Sequence, residues 1–132
     1  MGYEHQQLTS EDAIQALQHV RDICSIFPLV EEHVDGFGHT SLRVKDKPFI
    51  IMGEDQEGVS LSIRTSLSTQ EILLSQVDSP FYKTPYIGQH GWVTQQITSS
   101  TDWDAIVDFI REAYLRTVPK KLAALVQSQE ED

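Results

Sequence analysis

The sequence predicts an α+β domain of two layers, with helices packed on one face of an antiparallel sheet, in the order α-β(3–4)-α-β-α(-α). Three observations predict it. Apolar residues recur at helical spacing in three separate stretches, near 13–27, 67–77 and 103–114. Between Leu42 and Ile63 the period changes to two, interrupted by turn residues. The strands so marked follow one another before the next helix begins. That grouping argues against parallel βαβ units, where strand and helix alternate.

The first helix is expected to open near Thr9. Thr9 and Asp12 have the spacing of a capping box, and Ala13, Leu17, Val20, Cys24 and Phe27 supply the apolar stripe. Pro28 ends it, because proline disfavours helical geometry in the residue before it. Glu32 to Asp35 can form one short strand. Leu42 and Val44 alternate with Ser41, Arg43 and Lys45, and Asp46-Lys47 is expected to turn the chain into a strand from Phe49 to Met52, led by Pro48. A polar loop, residues 53–58, precedes a second alternation. Val59, Leu61 and Ile63 point one way; Ser60, Ser62 and Arg64 point the other.

For the second helix, Ser68 and Glu71 are read as the capping box and Leu67 with Ile72 as its staple, with an end near Val77 before the loop Asp78-Ser79-Pro80. In Tyr86-Ile87-Gly88-Gln89-His90-Gly91-Trp92-Val93 the paired glycines predict a turn that feeds a last strand, Gly91 to Ile97. Its His90 is expected to fix that turn through a backbone carbonyl. The third helix begins at the box Thr101 to Asp104, carries Trp103, Ile106, Val107, Ile110 and Tyr114, and breaks at Pro119. A short amphipathic piece with Leu122, Leu125 and Val126 follows. Residues 1–8 and 127–132 have little to bury and are expected to fray from a single domain spanning 1–132.

Helices on one face leave the other face of the sheet to solvent, and the alternation states what it displays. With Leu42, Val44, Val59, Leu61, Ile63, Val93 and Ile97 inside, the outward set is His39, Ser41, Arg43, Lys45, Ser60, Ser62, Arg64, Trp92, Thr94 and Gln96. That face is polar and cationic, with one large aromatic. It is unexpected in a chain whose formal net charge is −10. Such a body repels polyanions at long range unless its basic residues gather. They gather in part: residues 1–40 contain Arg21 as their only Lys or Arg, whereas 41–50 hold Arg43, Lys45 and Lys47 against Asp46.

The remaining composition narrows the class. No apolar run is long enough to span a bilayer, and no basic segment with an apolar core opens the chain as a secretory signal. Cys24 alone closes no disulfide within the chain. These features point to the cytosol and to no membrane association.

Four ordered segments carry a resemblance. They are Phe27-Pro28-Leu29-Val30-Glu31-Glu32-His33; Gly38 to Val44 with Lys47-Pro48-Phe49; Tyr86 to Val93; and Trp103-Asp104 through Ala113-Tyr114 to Val118-Pro119-Lys120-Lys121-Leu122. In this order they resemble the MmcQ/YjbR family of small bacterial proteins, over nearly the whole chain after its first residues. The resemblance implies an α+β fold similar to the frataxin-like and secretion-chaperone-like folds. It also implies DNA as a partner, since members are usually named as DNA-binding proteins with a double-wing arrangement. It brings no catalytic residues to transfer.

His33, His39 and His90 with Asp35 suit zinc in kind, but no H-x-x-x-H or C-x-x-C spacing fixes them, so no metal site is assigned. Cys24 lies on an apolar stripe and reads as a core thiol. There is no G-x-S-x-G elbow, Walker loop or G-x-G-x-x-G fingerprint, and Gly36-Phe37-Gly38-His39 precedes a strand where a phosphate loop needs a helix. No catalytic residue and no cofactor are assigned, and the chain reads as a binding module. The expected anion or nucleic-acid site is Arg43, Lys45, Lys47, Arg64, Trp92, His39 and His90, cations meeting phosphates while Trp92 stacks. The alternative is a protein-interaction or chaperone-like domain, homodimeric or joined to another protein through the same face, with Trp92 as anchor.

Overall fold

A computed structural model describes residues 8–130. The expectation of fraying at 1–7 and 131–132 lies outside the described residues. Four helices accompany one six-stranded antiparallel sheet: α1 Glu11–Cys24, β1 Glu31–Val34, β2 Thr40–Val44, β3 Lys47–Asp55, β4 Gly58–Arg64, α2 Leu67–Ser75, β5 Phe81–Lys83, β6 Trp92–Ile97, α3 Trp103–Thr117 and α4 Lys120–Glu130. The sheet order is β1-β2-β3-β4-β6-β5. This is the α+β class that grouped strands predict.

Side chains of α1, α3 and α4 cover one face. Ala13, Val20, Ile106, Ile110, Tyr114 and Val126 meet Leu42, Ile50, Met52, Leu61 and Ile63 in a single core. Tyr114 is its centre. Its ring stacks on Phe27 at 4.5 Å and meets Phe49 edge-on at 5.8 Å, while its hydroxyl donates to the carbonyl of Pro28 at 2.8 Å. An aromatic body with a satisfied polar tip can be buried at no hydrogen-bonding loss. Cys24 belongs to this core too, where burial pushes its thiol pKa up to about 12.

Several boundaries differ from those expected, each for a local reason. Ser10, not Thr9, caps α1: its hydroxyl accepts from the Ala13 amide at 3.0 Å. The Thr9 and Ser10 amides instead donate to the Glu54 carboxylate. α2 starts two residues before the expected box because Ser66 accepts from the Thr69 amide, and Thr69 in turn donates to Glu112 of α3. The proposed staple is not made: Leu67 and Ile72 stay exposed while Gln70 and Leu73 are buried. β3 runs on to Asp55, through residues expected as a loop, because Gly53, Glu54 and Asp55 pair with Ser60, Val59 and Gly58. Phe81–Lys83 forms an edge strand that the sequence did not predict. α4 continues past Gln127 to Glu130. Within the third helix, Val107 is 36% exposed and lies off the buried stripe.

Two turns set the ends of the sheet. Lys45 and Asp46, both at positive φ (50° and 67°), join β2 to β3 as the compact turn a two-residue hairpin requires. A bulge follows at once: Leu42 pairs with Ile50 but Arg43 with Pro48, so Phe49 is the extra residue and both Phe49 and Ile50 are buried. At the other end, Asp35 accepts from the amides of Phe37 and His39 to close the β1–β2 hairpin.

Among the described residues no helix is long and apolar enough to cross a membrane.

Candidate functional site: the face opposite the helices

Register places the expected outward residues together. The rows crossing the sheet on this face are His33-Ser41-Ile51-Ser62-Thr94-Tyr82, then Gly53-Ser60-Gln96. Arg64 pairs with Trp92. Arg43 and Arg64 therefore share a face two strands apart, about 10 Å by strand spacing.

The face divides into two ends. At the β2–β3 turn stand Arg43, Lys45, Lys47 and Arg64, with His90 on the short 3-10 turn Gly88–His90 that precedes β6. Lys45, Lys47 and His90 are exposed; Arg43 and Arg64 are half-buried. Arg43 is partly committed, donating to Ser41 Oγ at 2.8 Å and to the Asp46 carbonyl at 3.5 Å. The helical layer brings more positive charge to the same end. α3 runs back from the far end so that Tyr114 meets Phe49 beside the bulge, which places Arg116, Lys120 and Lys121 just beyond.

At the opposite end lies a cavity of about 360 Å³, lined by Asp35, His39, Gly53, Ser60 and Ser62 from the strands and hairpin and by residues 84–87 from above. His39, expected with the cations, belongs here instead. Its Nδ1 lies 3.5 Å from Asp35, and its ring passes so close to Gly53 that a Cβ there would stand 2.9 Å from His39 Cδ2. A side chain at this position would push the imidazole away from the sheet. Partial burial would raise the Asp35 pKa, but the Phe37 and His39 amides and the imidazole hold it below the usual carboxylate value. Ser62 on the cavity floor and Thr84 on its upper side each bond the Thr94 hydroxyl at 2.8 Å.

Trp92 is the main correction. It follows the outward parity of Thr94, but only 5% of its surface is exposed. The chain from 84 to 91 folds back at this position: the Thr84 amide donates to the Trp92 carbonyl, and Gln70 Nε2 donates to the carbonyls of Gly88 and Trp92. The indole has no open face for a ligand. The turn itself is real but is held by backbone rather than by the His90 ring, through His90 N to Ile87 O and Gly91 N to Gly88 O, both 3.0 Å. Among the described residues the most exposed aromatic is Tyr86, 94% in solvent and at φ 69°, ahead of Phe37 and Tyr82. Sequence reasoning missed it; the signal was Thr84-Pro85, a turn opener set immediately before an aromatic.

The three histidines do not converge. His33 pairs with Glu31 on an edge strand, His39 lines the cavity and His90 lies at the other end of the sheet. Among the described residues no group of three or more His, Cys, Asp or Glu side chains is placed to hold a metal.

The YjbR family model matches residues 26–116. The chain belongs to the YjbR family. The matched span runs from the Phe27 core contact through the whole sheet to Arg116 near the end of α3. Among solved structures, the fold is similar to a crystal structure of Deinococcus radiodurans protein DR2400, described by the domain name DUF419. The TM-score is 0.68 at 16% identity, over 84% of this chain and 87% of that one. No curated protein matches the chain. Membership of the YjbR family and this likeness establish the fold of a small domain and leave its ligand to be argued from the site.

Proposed function

We propose that this YjbR protein is a binding module for a polyanion, nucleic acid in the first instance, held at the β2–β3 end of the sheet. One observation carries the reading. Seven of the ten Lys and Arg residues, namely Arg43, Lys45, Lys47, Arg64, Arg116, Lys120 and Lys121, belong to the same end of a molecule with net charge −10. Six carboxylates lie at the other end, at the starts of α1 and α3 (Glu11, Asp12, Asp104) and in the β3–β4 hairpin (Glu54, Asp55, Glu57), while Asp46 in the β2–β3 turn and Glu31, paired with Arg43, lie at the basic one. α3 separates the two by about 20 Å at the helical rise per residue. That exceeds twice the ~8 Å Debye length at physiological ionic strength, so the acidic end is largely screened from a phosphate at the basic one.

Phosphates would meet Arg64 on the outer face and Lys45 in the turn, with Lys47, the partner of core-facing Val44, reaching the same end of the sheet from the helix side. Trp92 takes no part, and a protein interface anchored on that ring loses its anchor for the same reason. The test is fluorescence anisotropy of a labelled single-stranded oligonucleotide across a salt series. Affinity should fall steeply with salt, and the triple variant Lys45→Glu, Lys47→Glu, Arg64→Glu should flatten the log–log slope by about 0.7 for each lost contact. No binding by the wild type at low salt would remove nucleic acid from consideration.

A further inference from the structure

The cavity at the other end of the same face is left unused by phosphate binding, and its chemistry differs from that of the basic end. Asp35 stands within it and Asp55 and Glu57 lie in the neighbouring hairpin, so a phosphate is unwelcome there. Its polar lining is His39 with the hydroxyls of Ser60, Ser62 and Thr84, groups that each both donate and accept or choose by tautomer. Its apolar lining is Ile51, Pro85 and Ile87. At about 360 Å³ it lies at the small end of ligand pockets, which begin near 300 Å³. The rim is unusual. Tyr86, a residue 94% exposed, carries its aromatic ring on a backbone held in the left-handed region, which favours glycine.

We propose that this cavity takes one unstacked nucleobase of a single strand, with Tyr86 stacking on it and the strand continuing toward Arg64. This rests on the polyanion reading and deepens it. A base is planar, uncharged and edged with mixed donors and acceptors, which suits hydroxyl and imidazole partners beside apolar walls. The geometry is continuous: Ser62 on the floor lies two residues from Arg64 on β4, about 7 Å along the strand. A neutral base at the carboxylate end and phosphates at the cationic end give the bound strand a fixed direction.

The experiment compares an oligothymidylate with an abasic strand of equal length, by competition against the labelled probe. Wild type should prefer the base-bearing strand by about tenfold, the scale of one base–aromatic stack. The preference should vanish in Tyr86→Ala, persist in Tyr86→Phe, and vanish also in Tyr86→Gly, which relieves the backbone and so separates stacking from folding. Equal affinity for both strands in the wild type overturns the base pocket while leaving the cationic reading standing. Failure to hold either strand overturns both. A preference that survives Tyr86→Ala and Tyr86→Gly overturns the cavity as the base site.

Discussion

Gly91 shows how one residue positions the whole outer face. It sits at φ 96°, its carbonyl accepts from both the amide and the hydroxyl of Thr65, and a Cβ would come within 2.0 Å of the Thr65 carbonyl oxygen. Gly91→Ala combines a left-handed conformation with a collision against backbone, which cannot move aside as a flexible side chain can. The expected cost is about 3 kcal/mol or more, read as a lower midpoint in urea. If the variant is as stable as wild type, the clamp between Gly91 and Thr65 is not what holds the segment 84–91 against the sheet. At this scale the sequence was readable in kind but not in detail. The glycine pair announced a turn, and the turn exists. That Trp92 would be covered was not readable, because alternation assigns a face and says nothing of the preceding segment folding back over it. Gln70, whose amide closes that cover, looked like an ordinary helix residue.

Among the elements, sequence logic succeeded where periodicity governs and failed where side chains from elsewhere intervene. The alternation from Leu42 to Ile63 gave the correct face for every residue in β4, since a pleated strand leaves no other choice. Helix starts were misplaced by one or two residues because serines and threonines compete for the cap, and tertiary partners decide. Glu54 is such a partner. Its slight burial would raise its pKa, yet the Ser10 hydroxyl and the Thr9 and Ser10 amides hold it below the ordinary 4.5. Glu32 is likewise lowered, first by its hydrogen bond to Arg21, with N–O distances of 2.8 and 2.7 Å. A carboxylate whose pKa is depressed in the folded state stabilises above its unfolded value and loses that contribution as pH falls through the folded one. The protein should therefore lose thermal stability on acidification below about pH 4.5, where the unfolded carboxylates begin to take up protons. Glu54→Gln should show a shallower acid slope than wild type in melting curves by circular dichroism. An unchanged slope would mean that the carboxylate bonds to α1 add nothing to stability in solution.

For the whole molecule, the decisive feature is the separation of charge, and sequence totals conceal it. Net charge argues against a polyanionic partner; the topology that returns α3 to the end where Tyr114 meets Phe49 argues for one, because Arg116, Lys120 and Lys121 follow at that end of the helical layer. Part of this polarity serves the helices themselves: Glu11 and Asp104 lie in first turns and Arg21 and Arg116 in last turns, where each favours the helix dipole. Dipole pairing explains Arg21 and Arg116 but not Lys120 and Lys121, which open α4, nor Arg43, Lys45, Lys47 and Arg64, which lie on strands or in the β2–β3 turn. The two roles separate by ionic strength. Neutralising the helical carboxylates of the acidic end, which lie away from the cavity, with Glu11→Gln and Asp104→Asn should leave oligonucleotide affinity nearly unchanged near 150 mM salt, where the screening length is about 8 Å. The same variant should bind more tightly than wild type near 10 mM, where that length reaches about 30 Å and spans the molecule. A gain of equal size at both salts would mean that the acidic end touches the ligand directly, and the strand would then have to lie along α3 instead of across the sheet.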